Sequence, residues 1–174
     1  MKYPSFTRRI LSTTLAALLT PSAFVGAAVL LAPQVAKAEP AKAECQLYSV
    51  HALRTGDGTI PDDLKFLESQ LRGDDFAAFK SFKLLETKRL SLDLKAPVTT
   101  AAKSGHKLTL EYLGTERAKL KLRAKLLDRR GETSLLAADL LLVENGLVWL
   151  GGVTHGEGKL FFGLHCRGTE VKPG

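Results

Sequence analysis

Lys119-Leu120-Lys121-Leu122-Arg123-Ala124-Lys125-Leu126 decides the fold class of this chain. Apolar and cationic residues alternate strictly over eight positions. Successive side chains of a β-strand point to opposite faces, so a period of two means a strand with one dry and one wet face. A helix would scatter the same residues around its axis and bury cations.

The same alternation extends outward in both directions. Upstream, Leu108, Leu110 and Tyr112 alternate with Thr109 and Glu111 as far as Gly114, which reads as the end of that strand. Before it, Phe82 and Leu84, then Leu90, Leu92 and Leu94, alternate with polar residues. Residues 96–105, containing Pro97, read as a loop. Downstream, residues 128–131 read as a turn, and 134–143, nearly all apolar, as a central strand. Asn145-Gly146 follows as a hairpin turn, because both residue types tolerate positive φ, and 147–153 reads as the partner strand. A glycine-rich turn at 155–158 leads to a last strand over 159–167.

Nearer the start, residues 39–44 read as a frayed beginning and 45–54 as the first strand. Pro61, Asp62 and Asp63 suit a first helical turn, and Leu64, Leu67 and Leu71 recur at helical spacing. Gly73 closes that helix, and Asp74 opens a second one carrying Phe76 and Phe79. These aromatics read as the face that packs on a sheet. The expected fold is therefore α+β and mainly antiparallel β: a small sandwich or barrel of about seven strands, with a short helical segment after the first strand.

The first 38 residues read as a signal peptide. Lys2, Arg8 and Arg9 precede an uncharged stretch over 10–36, and Ala36-Lys37-Ala38 supplies a small-x-small cleavage site. Cleavage is expected after Ala38, or after Ala43 in the second Ala-Lys-Ala. Residues 39–174 then form a single mature domain, exported to the periplasm or the extracellular space. Two alternatives stand beside this reading: Thr7-Arg8-Arg9-Ile10-Leu11 resembles a twin-arginine signal, and the uncharged stretch exceeds the about 20 residues that cross a bilayer, so an uncleaved leader would act as an anchor. The net charge of +7 includes the leader's Lys2, Arg8, Arg9 and Lys37, which leaves the remainder only mildly basic.

Both cysteines, Cys45 and Cys166, lie beyond the leader. Two cysteines in an oxidising compartment pair with each other most simply, with free thiols as the alternative. The bridge would require Cα atoms about 4.4–6.8 Å apart, making the first and last strands neighbours or opposites across the core.

The chain carries no catalytic motif. Asp57-Gly58-Thr59-Ile60 resembles the middle of a calcium loop, but the carboxylates that loop requires are replaced by Leu53, Thr55 and Leu64. Gly151 to Lys159 lacks the spacing and the Ser or Thr of a phosphate loop. His155, His165 and Glu157 form a conceivable metal cluster whose spacing is not diagnostic, so no metal site and no cofactor is assigned. The most suggestive group is Lys119, Lys121, Arg123 and Lys125, four cations at roughly 7 Å intervals along one strand face. They are the candidate anion-binding residues, with a solvated, edge-protecting face as the alternative.

Pro61-x-x-Leu64, then Phe76, Phe79 and Phe82 with Leu84-Leu85, followed by leucine-alternating strands, resembles uncharacterised exported β-rich proteins of bacterial envelopes. The resemblance spans most of the mature chain and implies a β-sandwich or α+β fold and no activity. The expected function is a non-enzymatic envelope or secreted module that binds an anionic envelope polymer or another envelope protein. It has no intracellular nucleic-acid partner, and meets the membrane only through the leader if that is uncleaved. An enzyme with dispersed catalytic residues and a carrier of small apolar ligands are the alternatives.

Overall fold

The computed structural model of the chain describes residues 40–169. Eight antiparallel strands form two four-stranded sheets: β1 (Lys42–Leu53), β2 (Ser81–Asp93), β3 (Val98–Ala101), β4 (Lys107–Glu116), β5 (Lys119–Leu127), β6 (Ser134–Leu142), β7 (Gly146–His155) and β8 (Gly158–Thr169). One sheet has the order β2-β1-β8-β7 and the other β3-β4-β5-β6. The architecture is a sandwich, not a closed barrel. The chain leaves the first sheet after β2, builds the whole second sheet, and returns as β7 and β8.

Alternation places the core. Leu108, Leu110, Leu120, Leu122 and Leu126 from the second sheet meet Leu47, Leu92, Leu160, Phe162 and Leu164 from the first, all buried. A second apolar cluster lies on the other face of the first sheet. There a helical insert, comprising a 3₁₀ segment (Asp62–Leu67), the one-turn helix α1 (Glu68–Leu71) and a further 3₁₀ turn (Asp74–Phe76), buries Leu64, Leu67, Leu71 and Phe76 against Tyr48, Val50, Ala52 and Phe82. The insert thus covers half of a sheet face whose other half carries Glu44, Gln46, Arg89 and Arg167.

Several local expectations are corrected. The segment 96–105, expected as a loop, contains β3, which brings the strands to eight. Gly114 does not end its strand; it occupies a bulge in β4 at φ +103°, and pairing with β5 continues to Glu116. The two runs around Leu84 and Leu92 are one strand, β2, interrupted by a bulge that skips Leu85. β1 starts at Lys42, inside the segment expected to fray.

Asn145-Gly146 makes a turn, with Asn145 at φ +56°, but it joins strands of different sheets. Among the described residues β6 pairs only with β5 and β7 only with β8. β6, expected as a central strand, is an edge.

Candidate functional site

β5 is an inner strand, so its cationic row guards no edge. Leu120, Leu122, Ala124 and Leu126 are buried beneath it, which forces Lys119, Lys121, Arg123 and Lys125 outward, as the alternation predicts. Register then sets the chemistry of the row. β4 and β6 bring acids beside two of the four cations: Lys121 Nζ lies 2.7 Å from Glu116 Oε2, and Arg123 Nε lies 2.9 Å from Asp139 Oδ1 with Glu111 Oε2 at 3.6 Å. The hydrogen bond from Arg123 holds the Asp139 carboxyl below its ordinary range, and the Asp139 and Glu116 carboxylates in turn raise Arg123 and Lys121. Among the described residues, Lys119 and Lys125 make no such pair; Lys125 stands between Thr109 and Ala137.

A denser set of polar groups forms where one end of the sandwich opens. The C-terminal end of β1, the β7–β8 hairpin, the turn before β4 and the turn after β5 converge there. His51 Nε2 lies 2.9 Å from the His155 carbonyl oxygen and acts as the donor, and the two rings meet edge to face with centroids 5.2 Å apart. The His106 ring centroid is 6.5 Å from that of His155, and Ser104 Oγ is 3.1 Å from His106 Nδ1. Arg129 donates from Nη2 to His155 Nδ1 at 3.1 Å. A guanidinium has no acceptor, so His155 Nδ1 keeps its lone pair and the proton sits on Nε2.

Gly105 holds the turn before β4 at φ +89°, a conformation that favours glycine, and the Arg129 stem packs against it; a Cβ there would meet Arg129 Cγ at 3.4 Å, an ordinary contact.

The residues lining two cavities at this end are predominantly positive. Lys83, Lys103 and Arg129 line one surface cavity of about 360 Å³ beside His155, while Arg129, Arg130 and Lys159 line an adjoining one of about 600 Å³ beside His106. The one acid lining these cavities, Asp128, is occupied: its Oδ1 accepts from the backbone N–H groups of Gly131, Glu132 and Thr133 at 2.7, 2.9 and 3.3 Å. These bonds hold the Asp128 carboxyl below its ordinary range. Burial, followed by neighbouring positive charge, pushes the His106 and His155 imidazoles down.

The grouping His155, His165 and Glu157 does not form. His165 lies toward the opposite end of β8, where its Nε2 bonds the Asn145 carbonyl at 3.0 Å. His155 meets His51 and His106 instead, and among the described residues no group of three His, Cys, Asp or Glu is placed to hold a metal ion. The convergence left one trace in the sequence: His51, His106 and His155 each sit within a few residues of a glycine turn.

Cys45 and Cys166 are bonded. They are direct cross-strand partners on β1 and β8, the two inner strands of their sheet, and both are buried. Their Cα separation of 4.1 Å falls just below the expected range and near the about 4.5 Å of the closer antiparallel pairs. Among the described residues no helix is long and apolar enough to cross a membrane. No protein-family model, curated protein or solved structure matches this chain.

Proposed function

We propose that the chain is an exported, non-enzymatic β-sandwich module that binds an anionic macromolecule of the cell envelope through the open end of its sandwich. The carrying observation is the set Lys83, Lys103, Arg129, Arg130 and Lys159 gathered around two cavities whose one lining acid, Asp128, is spent on backbone N–H groups. Cations around a concave surface attract polyanions over roughly a Debye length of about 10 Å at 0.1 M salt. The outward lysines of β5 run toward this end, since Arg129 and Arg130 follow the strand within three residues. The disulfide is compatible with an oxidising compartment. The space between the sheets is filled by leucines and Phe162, which offers nothing to the apolar-carrier reading.

Retention of the oxidised protein on immobilised heparin, used as a polyanion probe, tests this. Replacing Lys103, Arg129 and Arg130 by Gln is expected to move elution to markedly lower salt, while a control Lys65→Gln, on the helical insert, leaves it unchanged. Equal elution of both variants would overturn the assignment.

A further inference from the structure

The sandwich has four strand edges, and three of them are guarded. β2 is broken by the bulge at Leu85 and carries Lys83, Lys88 and Arg89. β3 is four residues long. β7 is twisted by Gly151 and Gly152, at φ +117° and +80°, where its register shifts. Bulges, charges and shortness are the devices that stop a sheet edge from pairing with another chain.

β6 has none of these over its last seven residues. Leu136 to Leu142 pair regularly with β5, and among the described residues no strand is bonded to their other side. The single charge there, Asp139, is held by Arg123. Leu135, Leu141 and Val143 are among the few large apolar side chains that are exposed, at 43, 47 and 56%.

We propose that two copies of this chain pair edge to edge through β6, antiparallel about a two-fold axis at Ala138, joining their second sheets into one of eight strands. The sequence around that axis is self-complementary. Within the regularly paired stretch, Leu136 faces the partner's Leu140 and Ala137 faces the partner's Asp139; Leu135, which the bulge between β5 and β6 leaves unopposed, lies just beyond it. A two-fold interface requires such a self-matching patch.

Charge selects this register. Shifting the axis to Asp139 would set that carboxylate against its own copy, whereas at Ala138 the partner's Asp139 lies across the small Ala137 from Lys125. Two inter-strand spacings separate their Cα atoms by about 10 Å, a span a lysine side chain covers. Among the described residues, Lys125 is one of the two cations of the β5 row without an acid of its own. In the pair, the outward face reads Thr109, Lys125, Ala137, then the partner's Asp139, the partner's Arg123 and the partner's Glu111, and the row related by the two-fold reads the same.

Sedimentation velocity on the oxidised protein over a concentration series tests the proposal. The mass is expected to double as concentration rises. Leu141→Lys, on an exposed side chain that lines neither cavity, is expected to keep the strand-rich circular dichroism and leave only monomer. Lys125→Glu, which sets like charges across Ala137, is expected to weaken dimerisation about tenfold at low salt and less at high salt. A wild type that stays monomeric, a dimer indifferent to Lys125→Glu, or an open series of higher oligomers would each overturn it. The readout is independent of polyanion binding, because none of the residues altered in the heparin test lies on β6.

Discussion

Burial, with positive charge from Arg129 added, pushes two histidines below their ordinary range. Burial is the larger cause for His106, with Arg129 and His155 adding repulsion and Asp128 opposing them; for His155, burial is joined by repulsion from His51 and Arg129. Both imidazoles therefore hold folded-state pKa values below the ordinary value of about 6.5. The unfolded chain takes up protons first as the pH falls, so their contribution to stability is complete above about pH 6.5 and is lost as the pH drops through the folded pKa. The melting temperature is expected to decline from pH 7 to pH 5, and His106→Asn should make that decline shallower. Asp57, Asp128 and Asp139, whose carboxyls are held low by hydrogen bonds, add a separate loss only below about pH 4. A melting temperature flat between pH 7 and 5 would exclude lowered pKa values for His106 and His155.

At the scale of elements, the helical insert depends on Phe76. Its ring sits among Phe161 at 4.8 Å, Trp149 at 5.1 Å, Phe82 at 6.1 Å and Phe79 at 6.5 Å, with no exposed surface of consequence. Phe76→Ala removes the centre of that cluster, and truncation of a buried phenylalanine costs about 3–5 kcal/mol. The sandwich core between the sheets is untouched by this change, so the insert should loosen while the strands persist. Trp149 is the sole tryptophan, and its emission should shift to longer wavelength in the variant; unchanged emission with unchanged urea midpoint would show that the insert is held by its leucines alone. The leucine spacing in the insert was readable because a helical period is local. That most of it is 3₁₀ was not, because Pro61, whose carbonyl accepts from Leu64 N–H, and the docking onto β1 and β2 tighten the turns.

At the scale of the whole molecule, β1 constrains where the proposed leader can be cleaved. Ala43 is fully buried and pairs with Leu92 on one side and Gly168 on the other, and the Pro40 carbonyl accepts a hydrogen bond from Tyr112 at 3.0 Å. Cleavage after Ala38 leaves these contacts intact; cleavage after Ala43 removes them. The leader itself lies outside the described residues. N-terminal sequencing of the exported protein is expected to begin at Glu39, and a start at Met1 in the membrane fraction would replace the exported reading with an anchored one.

Seven of the eight strands and their facing were legible in the sequence, and β3 was not. The period of two in Lys119 to Leu126 depends only on the alternating geometry of an extended backbone; two cysteines allow one pairing within the chain, and the adjacency of β1 and β8 decided between that bond and free thiols. What the tertiary structure decided was adjacency. Nothing local announces that Glu111, Glu116 and Asp139 would fall beside Arg123 and Lys121, that His51, His106 and His155 would meet at one end, or that β6 would be an edge. The continuous apolar run of β6 read as a central strand because its composition reports burial on both faces, whereas an edge is defined by which backbone groups find a partner. Strand order and register are settled by hydrogen bonding and core packing between segments far apart in the chain, and those choices carry no periodic mark in any one of them.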